Sequence, residues 1–158
     1  MDYSIRKAKE EDLPAIIDLA VELIDNSISI LREAPMTLLK ELRRKDLQTL
    51  YHLLKQPRAG IFLAETPKQK FLGHVIVLSD QTEAPTGEMQ GWIFDLSVIP
   101  EYWGTGLAQK LMEAAENFVK ERGLKYIGLS VTTSNLRAVK FYENQGYTEE
   151  RKRMLKVL

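Results

Sequence analysis

The sequence contains no cysteine. That excludes disulfides, thiolate metal sites and thiol nucleophiles together, and leaves Ser, Thr, Tyr, carboxylates and backbone amides for any chemistry. Charge of one sign is also missing, since 22 Lys plus Arg are balanced by 22 Asp plus Glu. No overall field therefore draws the chain toward nucleic acid or an acidic membrane, and neither is expected as a partner. Any anion must be caught locally. The two histidines, His52 and His74, lack partners at ligand spacing, so no metal site is expected. No run approaches the ~20 apolar residues of a membrane span, and the first residues lack the apolar core of a signal peptide. The cytoplasm is the expected location.

What is present suits one domain over residues 1–158, because a chain of this size buries roughly 70% of its unfolded surface in a single core. Tyr3 and Ile5 alternate with polar neighbours as in a short strand. Asp12 and Pro14 then open a helix carrying Leu13, Ile16, Ile17, Ala20, Leu23 and Ile24, with Asp12 as its cap. After a connection over 25–35, a second amphipathic helix carries Leu38, Leu39, Leu42, Leu50, Leu53 and Leu54 to about Gln56. Residues 59–65 and 71–79 read as strands joined by a hairpin connection, and 80–88 as a polar turn-rich stretch. The strongest strand is 92–99. A helix follows from Leu107 to a glycine cap at Gly123. A strand over 126–132, a helix capped at Ser134 or Asn135 and ending near Gly146, and a last strand over 154–158 complete the order. This predicts an α/β (α+β) fold: a mixed sheet, mostly antiparallel, flanked by helices on both faces.

Between the strongest strand and its helix lies Pro100-Glu101-Tyr102-Trp103-Gly104-Thr105-Gly106-Leu107-Ala108. A helix amino terminus offers unpaired N–H groups and about half a positive charge, so such a loop can hold phosphate without Lys or Arg, or it can be only a turn. Two named phosphate loops fail. A dinucleotide fingerprint needs a further glycine where Gln109 stands, and a Walker loop needs Gly-Lys-Ser/Thr where Gly106-Leu107-Ala108 stands.

A second constellation lies downstream, at Asn135, Ala138, Phe141, Tyr142, Gly146 and Tyr147. Together the two resemble the GNAT superfamily of acyl-CoA-dependent N-acetyltransferases. That family's Gln/Arg-x-x-Gly-x-Gly/Ala loop falls on residues 103–108 with a Leu-x-Val-x-Pro lead-in at 96–100. Its Asn-x-x-Ala-x-x-Phe-Tyr-x-x-x-Gly-Tyr/Phe pattern falls on 135–147. Trp103 stands where Gln or Arg is usual.

The resemblance implies acetyl-CoA as co-substrate, an amine acceptor that attacks the thioester directly, and a homodimer as a common assembly. It implies cofactor contacts from Leu96, Ser97 and Val98 through the main chain, from Trp103, Gly104, Thr105, Gly106, Leu107 and Ala108 in the loop, and from the Asn135 amide, which is also a helix cap. Tyr142 becomes the group that meets the departing thiolate. Asp95 is the candidate base, because alternation sets it with Ile93, Ser97 and Ile99; the competing reading pairs it with a Lys or Arg on a covering helix. Glu88 or a water chain is the substitute base. The basic run 40–45 reads as a solvated face. Two other functions stay open: a catalytically silent acyl-CoA sensor and an interaction domain.

Overall fold

The computed structural model describes residues 2–158. Five strands form one sheet in the order of the chain: β1 (Ser4–Lys7), β2 (Ala59–Glu65), β3 (Phe71–Glu83), β4 (Glu88–Val98) and β5 (Ile127–Gly128). The first four pair antiparallel and β5 joins β4 in parallel. Helices α1 (Leu13–Glu22), α2 (Met36–Leu47) and α3 (Leu50–Leu53) lie on one side, and α4 (Leu107–Lys120) on the other. Helix α5 (Leu136–Asn144) follows β5. Among the described residues no helix is long and apolar enough to cross a membrane.

The helical spacing of apolar residues decides the two cores. On one face Leu13, Ile16, Ile17 and Ala20 of α1 pack with Leu47, Leu50 and Leu53 against Ile61, Ile76 and Leu78 of the sheet. On the other, Leu107, Leu111, Met112, Ala115, Phe118 and Val119 of α4 cover Val75, Val77, Ile93 and Val98. Alternation along β3 supplies both cores at once, since Val75 and Val77 face α4 while Ile76 and Leu78 face α1. Helix α4 approaches β4 so closely that a Cβ on Gly91 would lie 2.3 Å from the Val119 side chain. Only glycine fits there.

Several expectations are corrected. Asp12 stands just before α1, but its carboxylate accepts the Lys9 N–H at 2.7 Å and two Arg6 N–H groups instead of a first-turn amide. Arg6 also grips Glu65 through two nitrogens, so this cluster ties β1, β2 and the entry to α1. The single second helix is two, because backbone bonding tightens at Gln48 and Thr49, whose N–H groups reach back three residues. The turn-rich stretch 80–88 is largely strand, with the chain reversing between β3 and β4 over 84–87. The strand expected at 126–132 pairs only at Ile127–Gly128. The last strand does not form: residues 154–158 are unpaired, with Met154 and Val157 largely exposed. A two-residue β5 offers no edge long enough to recruit it.

Two irregularities of β4 prepare a site. Asp95 opposes Ile76 and Ile93 opposes the next residue, Val77, so Phe94 is an extra residue in β4, a bulge. The second concerns β5, which pairs with β4 only at Gly91 and Trp92. From Ile93 to Val98 the β5 side of β4 is open.

Candidate active site

The open edge presents main-chain groups in a fixed sense. Ile99 N–H bonds Leu72 O at 2.9 Å, on the β3 side. Across a trans peptide the preceding carbonyl points the other way, so Val98 C=O faces the opening. By alternation Leu96 faces it as well, while the Ser97 peptide groups turn toward β3. The Ser97 hydroxyl is committed elsewhere, donating to Asp95 Oδ2 at 2.9 Å.

Beyond Val98 the chain makes a turn over Pro100–Tyr102 and enters the glycine loop. Gly104 and Gly106 have φ of 75° and 86°, in the left-handed region that disfavours side chains. No atom lies within 4 Å of where a Cβ would be on either, so the space in front of the loop is open. The N–H groups of Gly104, Gly106, Leu107, Ala108 and Gln109 have no hydrogen-bond partner among the described residues. These are the orphan donors of a 14-residue helix and the turn before it, aimed where α4's dipole is positive. The donor set suits a phosphate. Trp103 N–H, by contrast, donates to Pro100 O at 3.1 Å. The Thr105 hydroxyl donates to Tyr102 O at 2.7 Å and shapes the loop.

Trp103 does something its sequence position does not announce. Its indole Nε1 donates to Val98 O at 2.7 Å, and the Arg137 guanidinium lies over the ring at 3.5 Å. The loop, the open edge and α5 thus meet at one side chain. Asn135 caps α5 by accepting the Ala138 N–H at 3.2 Å.

On the α1 face of the sheet, beside the bulge, Asp95 gathers three donors. His74 Nε2 lies 2.6 Å from Oδ2, Arg43 Nη2 lies 2.7 Å from Oδ1, and Ser97 is the third. Burial pushes the carboxyl up. The His74 hydrogen bond, the attraction of His74 and Arg43, and the Ser97 bond outweigh it and hold Asp95 below the usual carboxylate range. An ionised carboxylate can only accept, so His74 donates through Nε2. Its Nδ1 is buried without a partner among the described residues, as is Arg43 Nε. The bulge also breaks the expected grouping: Ile93 packs toward α4, while Phe94 packs with the α1 core beside Asp95. Glu88 lies at the far end of β4, exposed beside the hairpin turn.

Tyr142 is flanked edge-to-face by Phe141 and Tyr147. Burial, then the charge of Asp95, pushes its phenol up to about 12. Its hydroxyl has no hydrogen-bond partner among the described residues. Arg43 of α2 is the covering-helix cation of the competing reading of Asp95, but sequence reasoning put none of three partners in the site by number. His74 stood inside the apolar run Phe71-Leu72-Gly73-His74-Val75-Ile76, a signal that it would be buried. Arg43 and Arg137 looked like any solvated helical cation. Among the described residues no group of His, Asp and Glu is arranged to hold a metal.

Residues 27–147 match the Acetyltransferase (GNAT) family. The chain belongs to that family. An uncharacterized N-acetyltransferase of Archaeoglobus fulgidus is 30% identical to this GNAT chain over 142 residues, 89% of this chain and 90% of that protein. N-alpha-acetyltransferase 30 of Schizosaccharomyces pombe is 36% identical over 78 residues, 49% of this chain. The match spans 51% of that relative's length. A putative acetyl transferase from Pyrococcus furiosus superposes on this GNAT fold with a TM-score of 0.82 at 27% identity, over 99% of this chain and 100% of that one. The five-stranded mixed sheet with helices is the fold of that family.

Proposed function

We propose that this chain transfers the acetyl group of acetyl-CoA to the α-amino group of a peptide, by direct attack of the amine on the thioester. The observation that carries the cofactor half is the conjunction of the open β4 edge with the unpartnered N–H groups of the glycine loop. The main chain of Leu96 and Val98 would hold the pantetheine arm as an added strand. Gly104, Gly106, Leu107 and Ala108 would receive the pyrophosphate on their amides, with Trp103 and Thr105 shaping the cradle and the Asn135 amide facing it from α5. Ser97 then acts through Asp95 and not through its own peptide. Acetyl-CoA supplies an activated acyl group and a thiolate that leaves; the protein's share is placement and charge stabilisation.

The state of the acid and base groups favours an α-amine as acceptor. Tyr142, with its phenol near 12, stays protonated at neutral pH. Full transfer to a thiolate whose conjugate acid has pKa about 8.5 is uphill by about 5 kcal/mol. Tyr142 therefore acts by donating a hydrogen bond to developing charge on sulfur. Asp95, expected as the base, has low proton affinity and both oxygens occupied. We assign it instead to holding Arg43 and His74 in place, with proton removal left to water. An acceptor that is already partly neutral needs least from such a site. At pH 7 about a tenth of an α-amino group is neutral, against less than about 0.1% of a lysine-type amine. The name of the fission yeast relative points to the same acceptor class.

The test is CoA release from acetyl-CoA with peptides bearing a free α-amine, the same peptides blocked at the amino terminus but carrying lysine, and polyamines. The α-amine peptides should react fastest, with a rate that rises with pH through about 8 and levels off above about 9. Faster reaction of blocked lysine peptides or polyamines would sink the acceptor assignment.

A further inference from the structure

The Trp103 side chain stands where the cofactor reading needs room. Val98 C=O points away from β3 because Ile99 N–H bonds Leu72 O on that side. Beyond Trp92 no residue of β5 pairs with that edge. The group that takes the carbonyl instead is the Trp103 indole, whose Nε1 donates to it at 2.7 Å. Trp103 is anchored at its own backbone by the bond to Pro100 O, so the ring reaches back along the strand from a fixed base. Its face is covered by Arg137 from α5, at 3.5 Å. A carbonyl has a second lone pair, but the indole, held under the Arg137 guanidinium, occupies one.

We propose that Trp103 and Arg137 form a clasp over the open edge of β4, and that acetyl-CoA enters by displacing the indole from the Val98 carbonyl, so that Trp103 sets how tightly this enzyme holds its cofactor. The inference rests on the cofactor reading given above, in which the pantetheine arm pairs with that same carbonyl. It gives the departure from Gln or Arg at this position a physical consequence. A Gln or Arg side chain has no ring to stack on Arg137, whereas Trp carries both a donor and a face. The free protein thus satisfies its own exposed strand edge, and the cofactor must outcompete a bond already made. Once released, Arg137, which has no hydrogen-bond partner among the described residues, is a cation beside the glycine loop.

The experiment is calorimetric titration of the full chain with acetyl-CoA in the absence of any amine, comparing wild type, Trp103→Phe and Gly106→Val. Phe keeps the ring and removes the N–H. Trp103 is 38% exposed, so the variant should fold, which its melting curve checks. Loss of one competing hydrogen bond should tighten acetyl-CoA by about three- to ten-fold. Acetyl-CoA should also shift the tryptophan emission of the wild type and leave that of Trp103→Phe, which keeps only Trp92, unchanged. Unchanged or weaker binding by Trp103→Phe, or no emission shift in the wild type, would overturn the clasp. If the wild type binds and Gly106→Val weakens that binding, the cofactor reading stands even where the clasp falls. If the wild type fails to bind at millimolar acetyl-CoA, both fall together.

Discussion

Asp95 and Tyr142 illustrate how a neighbourhood assigns work to a side chain. A carboxylate in an apolar strand invites the role of base, yet three donors, the cation Arg43 among them, lower its affinity for the proton it would have to accept. The linkage follows. The folded pKa lies below the unfolded value, so ionised Asp95 stabilises the fold fully above about pH 4, and that stabilisation is lost as pH falls through the lower folded pKa. Asp95→Asn should lose about 2 kcal/mol in urea unfolding at pH 7, because the half-buried Arg43 keeps only the exposed Asp46 as countercharge. The gap to wild type should narrow on acidification below pH 4; a gap that stays constant would mean the charge contributes nothing. Tyr142→Phe should keep acetyl-CoA affinity and lose about a hundredfold in kcat, measured as CoA release. A variant with unchanged kcat would remove Tyr142 from the chemistry. Tyr142 was legible from the downstream motif. Its raised pKa was not, since that depends on burial and on Asp95.

At the scale of elements, the cleft exists because β4 is longer than its parallel partner and carries one residue too many. The register of Gly91 and Trp92 with β5 fixes where the two strands are still together, and the approach of α4 at Gly91 fixes that register from one face. Gly91→Ala should therefore destabilise the fold by about 1–3 kcal/mol through overpacking against Val119. Combined with Val119→Ala it should regain part of that loss in thermal unfolding; strictly additive losses would show that the contact is not the cause. The centres of β1 to β4, the α4 helix and the loop were legible as periodicities and glycine signals, whereas the expected strand over 154–158 does not form. The bulge at Phe94 was not. A bulge is defined by pairing with β3, and a single strand read alone keeps its alternation through Phe94 without interruption.

The whole molecule has balanced charge and two cores on either side of one sheet, so in the proposed reading an anionic cofactor is drawn locally, to the amino-terminal end of α4. The tail 154–158 contributes to neither core and pairs with no strand. Its removal should shift the melting temperature by no more than about 1–2 °C, since exposed unpaired residues contribute little. A larger loss would reveal packing for the tail that this structure does not contain.

The sequence by itself determined the loop, the motif from Asn135 to Tyr147 and hence the family, because each is a contiguous stretch whose spacing survives without neighbours. Tertiary structure decided what the chemical groups touch. Arg43 and His74 reach Asp95 from 52 and 21 residues away, and Trp103 meets Arg137 only when α5 folds back beside β4. Those partners set charge, hydrogen-bond occupancy and access. They are fixed by packing across the sheet, which no local pattern of residues encodes.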